Sequence, residues 1–122
     1  MRDENSNPPD LKQRTRTFAI RIIRLYASLP KSTEAQVLGK QLLRAGTSVG
    51  AQYAEAQRAK SDKDLITKIE GSLQELEEVL YWIDLLTEMK LSNPETLAAL
   101  NKETNELLAI FVTIVRRVKT RR

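Results

Sequence analysis

Four stretches of the chain repeat apolar residues at alternating spacings of three and four, the period of one helix face, with short polar breaks between them. In the first stretch the positions are Leu11, Phe18, Ile22, Leu25 and Leu29, with Thr15 filling the one gap. Ala35, Leu38, Leu42, Ala45, Val49, Tyr53 and Ala56 continue the rhythm in the second, and Ile66, Ile69, Leu73, Leu76, Leu80 and Ile83 in the third. The fourth uses Leu97, Leu100, Leu107, Phe111, Ile114 and Val118, with Thr104 its one polar position. Start and stop signals bracket these runs. Asp10 is a candidate N-cap, Pro30 restricts Leu29, Thr33 with Gln36 and Ser61 with Asp64 offer capping boxes, and Ser92 or Asn93 precedes Pro94. The pattern predicts helices over about 10–29, 34–60, 62–91 and 94–120. Long helices with short connections make antiparallel neighbours, so the predicted fold is all-α, an antiparallel up-down four-helix bundle over residues 10–120. The polar segment 1–9 is predicted to be disordered.

The stretch RAGTSVGAQYAEA, residues 44–56, holds two of the four glycines. A phosphate-cradling loop needs a strand before it and commonly a Lys after its second Gly. Here the apolar rhythm runs through Ala45, Val49 and Tyr53 unbroken, so the glycines lie inside a helix. Interior glycines cost up to ~1 kcal/mol each relative to Ala. Gly39, Gly46, Gly50 and Ala54 form a small-residue stripe that predicts close helix packing, with Tyr26, Tyr81 or Trp82 as the rings that fit against it. Arg44, Gln52 and Glu55 exclude a lipid-facing version of this glycine spacing.

Two helices are apolar over more of their circumference than a small monomeric bundle needs. In FAIRIIRLYASL, Ile20, Ile23 and Tyr26 widen the first helix's stripe, and in VLYWIDLL, Tyr81 and Trp82 widen the third. Those five residues are the predicted interface of a homo-oligomer.

Composition then narrows the function. With no Cys and no His, thiolate or imidazole metal sites, a Cys nucleophile and the commonest general base are all excluded. The carboxylates Glu70, Glu77, Asp84 and Glu88 lie on the polar stripe of the third helix and read as a solvated face. The expectation is a protein that is not an enzyme, without metal or cofactor. No apolar run approaches the ~20 residues that span a bilayer, and the first ten residues lack a signal-peptide core, so no membrane association and a cytoplasmic location are expected.

The formal net charge of +4 is unevenly spread along the chain: residues 61–91 hold three basic and eight acidic groups, while the tail RRVKTRR holds five basic and none acidic. The first helix adds a basic stripe. Arg14, Arg21, Arg24, Arg116, Arg117, Lys119, Arg121 and Arg122 are therefore the candidate phosphate contacts for structured RNA or DNA. The first-helix arginines either stay free for phosphates or pair with the acidic third helix of another subunit. A protein-interaction scaffold that binds no nucleic acid is the alternative reading.

LLRAGTSVGAQYAEA in the second helix, ELEEVLYWIDLL in the third and NELLAIF in the fourth together resemble the bacterial 23S rRNA intervening-sequence protein family, over about residues 18–117. The resemblance implies a four-helix bundle assembled as a homopentamer. The accessory variability protein of diversity-generating retroelements is related. By that analogy nucleic acid and a reverse transcriptase become candidate partners, and no active-site motif is carried over.

Overall fold

The computed structural model describes residues 10–121, which form four α-helices: α1 (Leu11–Ser28), α2 (Thr33–Ala56), α3 (Asp62–Glu88) and α4 (Pro94–Thr120). The segment 1–9 expected to be disordered, and Arg122, lie outside the described residues. Connections of four, five and five residues force each helix to reverse on the last. α1 packs on α2, α2 on α3 and α3 on α4, while α1 and α4, which close the ring, are held further apart. The architecture is an all-α antiparallel four-helix bundle.

The helix starts follow from local capping chemistry. Asp10 accepts from Gln13 N–H and Ser61 from Asp64 N–H. Asn93, rather than Ser92, caps α4 by accepting from Glu95 and Thr96 N–H at 2.8 and 3.0 Å. Ser32, rather than Thr33, caps α2: its backbone is extended, and Thr33 is already helical. Gln36 has left the capping-box role, because its amide donates to Pro30 O and its Oε1 accepts from the Tyr26 hydroxyl. Two helices end earlier than their polar flanks predicted. α2 stops at Ala56, and α3 stops at Glu88, two residues before Lys90 takes a left-handed backbone (φ 54°).

The core is one cluster drawn from all four helices, with Phe18, Ile22, Leu42, Val49, Leu76, Leu107 and Phe111 fully buried. The two gaps in the apolar rhythm, Thr15 and Thr104, are buried too, and each hydroxyl donates to the carbonyl four residues back, Leu11 O and Leu100 O. Buried Ser72 instead crosses to α2 and donates to Val49 O at 3.0 Å, which satisfies a polar group that would otherwise be costly there. Tyr53 reaches from α2 to stack on Phe111 of α4, centroids 5.7 Å apart. Burial, and then the Asp10 carboxylate, raise its phenol above the ordinary range.

The glycine stripe lets α1 lie against α2. A Cβ on Gly39 would stand 2.6 Å from Leu29 Cδ1 and 2.9 Å from Tyr26 Cδ1, and one on Gly46 would stand 2.8 Å from Ile22 Cγ1. At Gly50 the nearest atom is Thr15 Oγ1, at 3.2 Å. The partners are thus one ring, Tyr26, and three non-aromatic side chains, Leu29, Ile22 and Thr15, all from α1 or its C-cap, and neither Tyr81 nor Trp82 is among them. Ala54, the fourth member of the stripe, is exposed and borders an open groove.

Candidate nucleic-acid interface

Antiparallel packing gathers the start of α1, the end of α2, the start of α3 and the end of α4 at one end of the bundle. That half, residues 10–19, 49–72 and 111–121, carries eleven basic and five acidic residues. The opposite half, residues 20–48 and 73–110, carries seven and nine. The protein is therefore polarised along its axis, and the basic end combines the tail with residues distant from it in sequence. Lys12, Arg16, Arg58, Lys60 and Lys63 are exposed there, and none was among the candidates from the sequence. They belong to three different helices or turns, and only the register of the packed helices brings them together.

The candidate phosphate contacts divide into two groups. Arg14 is engaged within the chain. It donates to both oxygens of Glu103 at 2.8 Å each and to Glu106 at 2.6 Å, bridging α1 to α4 where the backbones stand apart. Its side chain is only 29% exposed and that of Glu103 17%, and the Glu103 hydrogen bond holds the guanidinium above its ordinary range despite opposing desolvation. This two-pronged geometry is a structural latch. Lys119 pairs with Glu70 at 3.6 Å and Arg121 with Asp62 at 2.8 Å, tying the end of α4 to α3. Arg21, Arg24, Arg116 and Arg117 carry no ion pair among the described residues. Arg116 and Arg117 are exposed at the basic end, where Arg117 borders a cleft with Leu11 and Ile114. Arg21 and Arg24 sit in the other half.

Periodicity assigns a residue to a face but not to a partner on another helix, which is why the sequence pattern did not separate these two groups. The acidic partners lie far away in the chain: Glu103 is 89 residues from Arg14, and Asp62 is 59 residues from Arg121. Arg44 of α2 makes a similar bridge to Glu75, at 3.2 Å, and to Glu78 of α3.

The five candidate interface residues also separate. Ile23 and Tyr81 are 47% and 57% exposed, while Ile20 is half-buried. Tyr26 is occupied within the chain, packed on Gly39 and bonded to Gln36. Trp82 is half-buried with its ring edge-on to Tyr81, and its indole N–H is buried without a hydrogen-bond partner among the described residues. Among the described residues no group of three or more carboxylates is arranged to hold a metal ion, and no helix is long and apolar enough to cross a membrane.

The family model of the 23S rRNA-intervening sequence protein matches residues 9–113. The chain belongs to this family. The matched region takes in the first three helices and most of the fourth. A similar solved structure is that of a protein of unknown function from the S23 ribosomal protein family of Bacteroides thetaiotaomicron VPI-5482. It is 34% identical over 86% of this chain and 97% of that one, with a TM-score of 0.81. No curated protein matches the sequence.

Proposed function

We propose that this protein is a non-catalytic homo-oligomeric bundle that binds structured RNA or DNA through its basic end. The observation that carries the reading is axial polarisation, with eleven basic against five acidic residues in one half and Arg116 and Arg117 unpaired on its surface. Exposed, unpaired arginines suit phosphates, which they contact two-pronged. Of the aromatic rings at this end, Phe18 is fully buried and Tyr53 and Phe111 are stacked on each other, so they offer no row of platforms for bases. Recognition then rests on backbone phosphates and carries little sequence preference.

Fluorescence anisotropy with a labelled duplex and an RNA hairpin, repeated across a salt series, tests this. Affinity should fall linearly on a log–log plot with a slope of about −0.9 per phosphate neutralised on duplex DNA. A slope near zero, or no binding at ~0.1 M salt, overturns the reading.

The exposed apolar residues support assembly. α1 and α3 are diagonal in the ring, so Ile20 and Ile23 face one side of the bundle and Tyr81 the other. Arg16 flanks the α1 patch, and Glu77 and Asp84, which carry no ion pair among the described residues, flank Tyr81. Two unlike patches of opposite charge on opposite sides fit a head-to-tail ring better than a two-fold dimer. Light scattering is expected to give a closed multiple of the 13.9 kDa chain, five-fold if the family's pentamer holds. A single-copy mass at micromolar concentration overturns the assembly.

A further inference from the structure

A second polar site lies outside the basic end, in the cleft between α1 and α4 of the opposite half. The cleft has a volume of about 400 Å³. Its walls carry Arg21 and Arg24 on one side and Ser92 and Thr96 on the other, with Leu25 and Leu100, both buried, beneath them. This half has an excess of acidic residues, yet among the described residues neither arginine forms an ion pair. The acids of α4 that look toward α1, Glu103 and Glu106, are already held by Arg14. Arg21 and Arg24 are three residues apart on one helix face, a spacing that puts their Cβ atoms ~5–6 Å apart and leaves the two charges repelling each other. The N–H groups of the first α4 turn add nothing, because Asn93 already caps Glu95 and Thr96. The hydroxyls of Ser92 and Thr96 face the arginines without a hydrogen bond of their own among the described residues.

We infer that this cleft binds a phosphate monoester, held by the Arg21 and Arg24 guanidiniums with the Ser92 and Thr96 hydroxyls donating to its remaining oxygens. Two convergent guanidiniums match the near-double negative charge of a monoester at neutral pH, whereas a phosphodiester carries one charge and presents only two free oxygens. The volume lies within the range of small-molecule clefts, ~300–1,000 Å³, and admits a mononucleotide as readily as the phosphorylated end of a strand. Binding here is separate from the basic end and stands or falls without it.

Isothermal titration on the full chain tests the site, in a background carrying R116E and R117E so that the two exposed tail arginines do not contribute. The probes are inorganic phosphate, AMP, the diester ApA, unphosphorylated adenosine, and a dinucleotide with or without a 5′-phosphate. Saturable binding of AMP or the phosphorylated dinucleotide, at least tenfold tighter than ApA and adenosine, is expected. That binding should fall at least tenfold in R21Q/R24Q and less in R21K/R24K, which keeps the charge but loses the fork. Melting curves of both double variants verify that each is folded. If the phosphorylated dinucleotide binds tighter than AMP, the source is a strand terminus, and if AMP binds as well or better, it is a free nucleotide. The absence of saturable monoester binding at millimolar concentration, equal binding of ApA, or affinity unchanged in a folded R21Q/R24Q each overturns the inference.

Discussion

Gly46→Leu is expected to lower the melting temperature by about 10 °C or more, or to leave the chain unfolded, as read by circular dichroism. The added Cβ alone would stand 2.8 and 2.9 Å from Ile22 Cγ1 and Cγ2, well inside contact distance. Ile22 is fully buried in the shared core, so it has nowhere to turn, and only separation of α1 from α2 makes room. Overpacking of this kind costs ~1–3 kcal/mol, and the rest of a Leu side chain pushes toward the upper end or beyond. The gain in helix propensity returns at most ~1 kcal/mol. Against a domain stability of ~5–15 kcal/mol, a net loss of a few kcal/mol is large. Gly71→Ala is the matched control. Its nearest neighbour would be the amide end of Gln52, a flexible, half-buried side chain of α2 that can swing aside, so the propensity gain dominates and melting should rise by a few degrees. Two variants melting within a degree of the parent would mean that the stripe does not set the α1–α2 approach.

The contrast between those glycines marks how far the sequence could be read. Unbroken helical phase placed Gly46 inside a helix and excluded a phosphate loop, and interior placement predicted a neighbour close by. Which neighbour was beyond the pattern, since it depends on the axial register of α1 against α2. The rings of Tyr81 and Trp82 were plausible by size, but they sit on α3, while the stripe turns toward α1. Thr15 and Thr104 were legible as core positions because the rhythm runs straight through them, and the own-helix carbonyl that satisfies each hydroxyl is local. Helix ends were less legible. The residues after Ala56 are good helix formers without Gly or Pro, so nothing in their composition announces that α2 has stopped.

Charge behaved in the same way. The basic tail was visible as a run, and its reading as a contact surface was correspondingly simple. The structure ties two of its members, Lys119 and Arg121, to α3 and brings up cations from the start of α1 and the α2–α3 turn instead. A run of charge along the sequence is therefore a poor outline of a charged surface in an antiparallel bundle, where neighbours in space come from opposite ends of successive helices.

Reversing Arg116 and Arg117 to Glu is expected to weaken duplex binding about a hundredfold at 0.1 M salt. Each phosphate neutralised contributes a slope of about 0.9 on the log–log salt plot, so the loss of two contacts removes roughly 1.8 from the slope. Extrapolated over the decade between 0.1 and 1 M salt, that slope change alone amounts to ~60-fold, and repulsion by the new carboxylates adds to it. Both residues are exposed and carry no ion pair among the described residues, so the variant is expected to keep its melting temperature and its oligomer mass. Arg14→Gln provides the opposite signature. It breaks a half-buried bridge to Glu103 and Glu106, so it should lower the melting temperature while leaving the salt slope unchanged. Anisotropy titrations and melting curves on the two variants therefore separate a binding surface from a structural latch. Should R116E/R117E bind with the parent affinity and slope, the tail is no part of the interface. Should Arg14→Gln lose the slope instead, phosphate contact belongs to Arg14 and not to the exposed arginines of the tail.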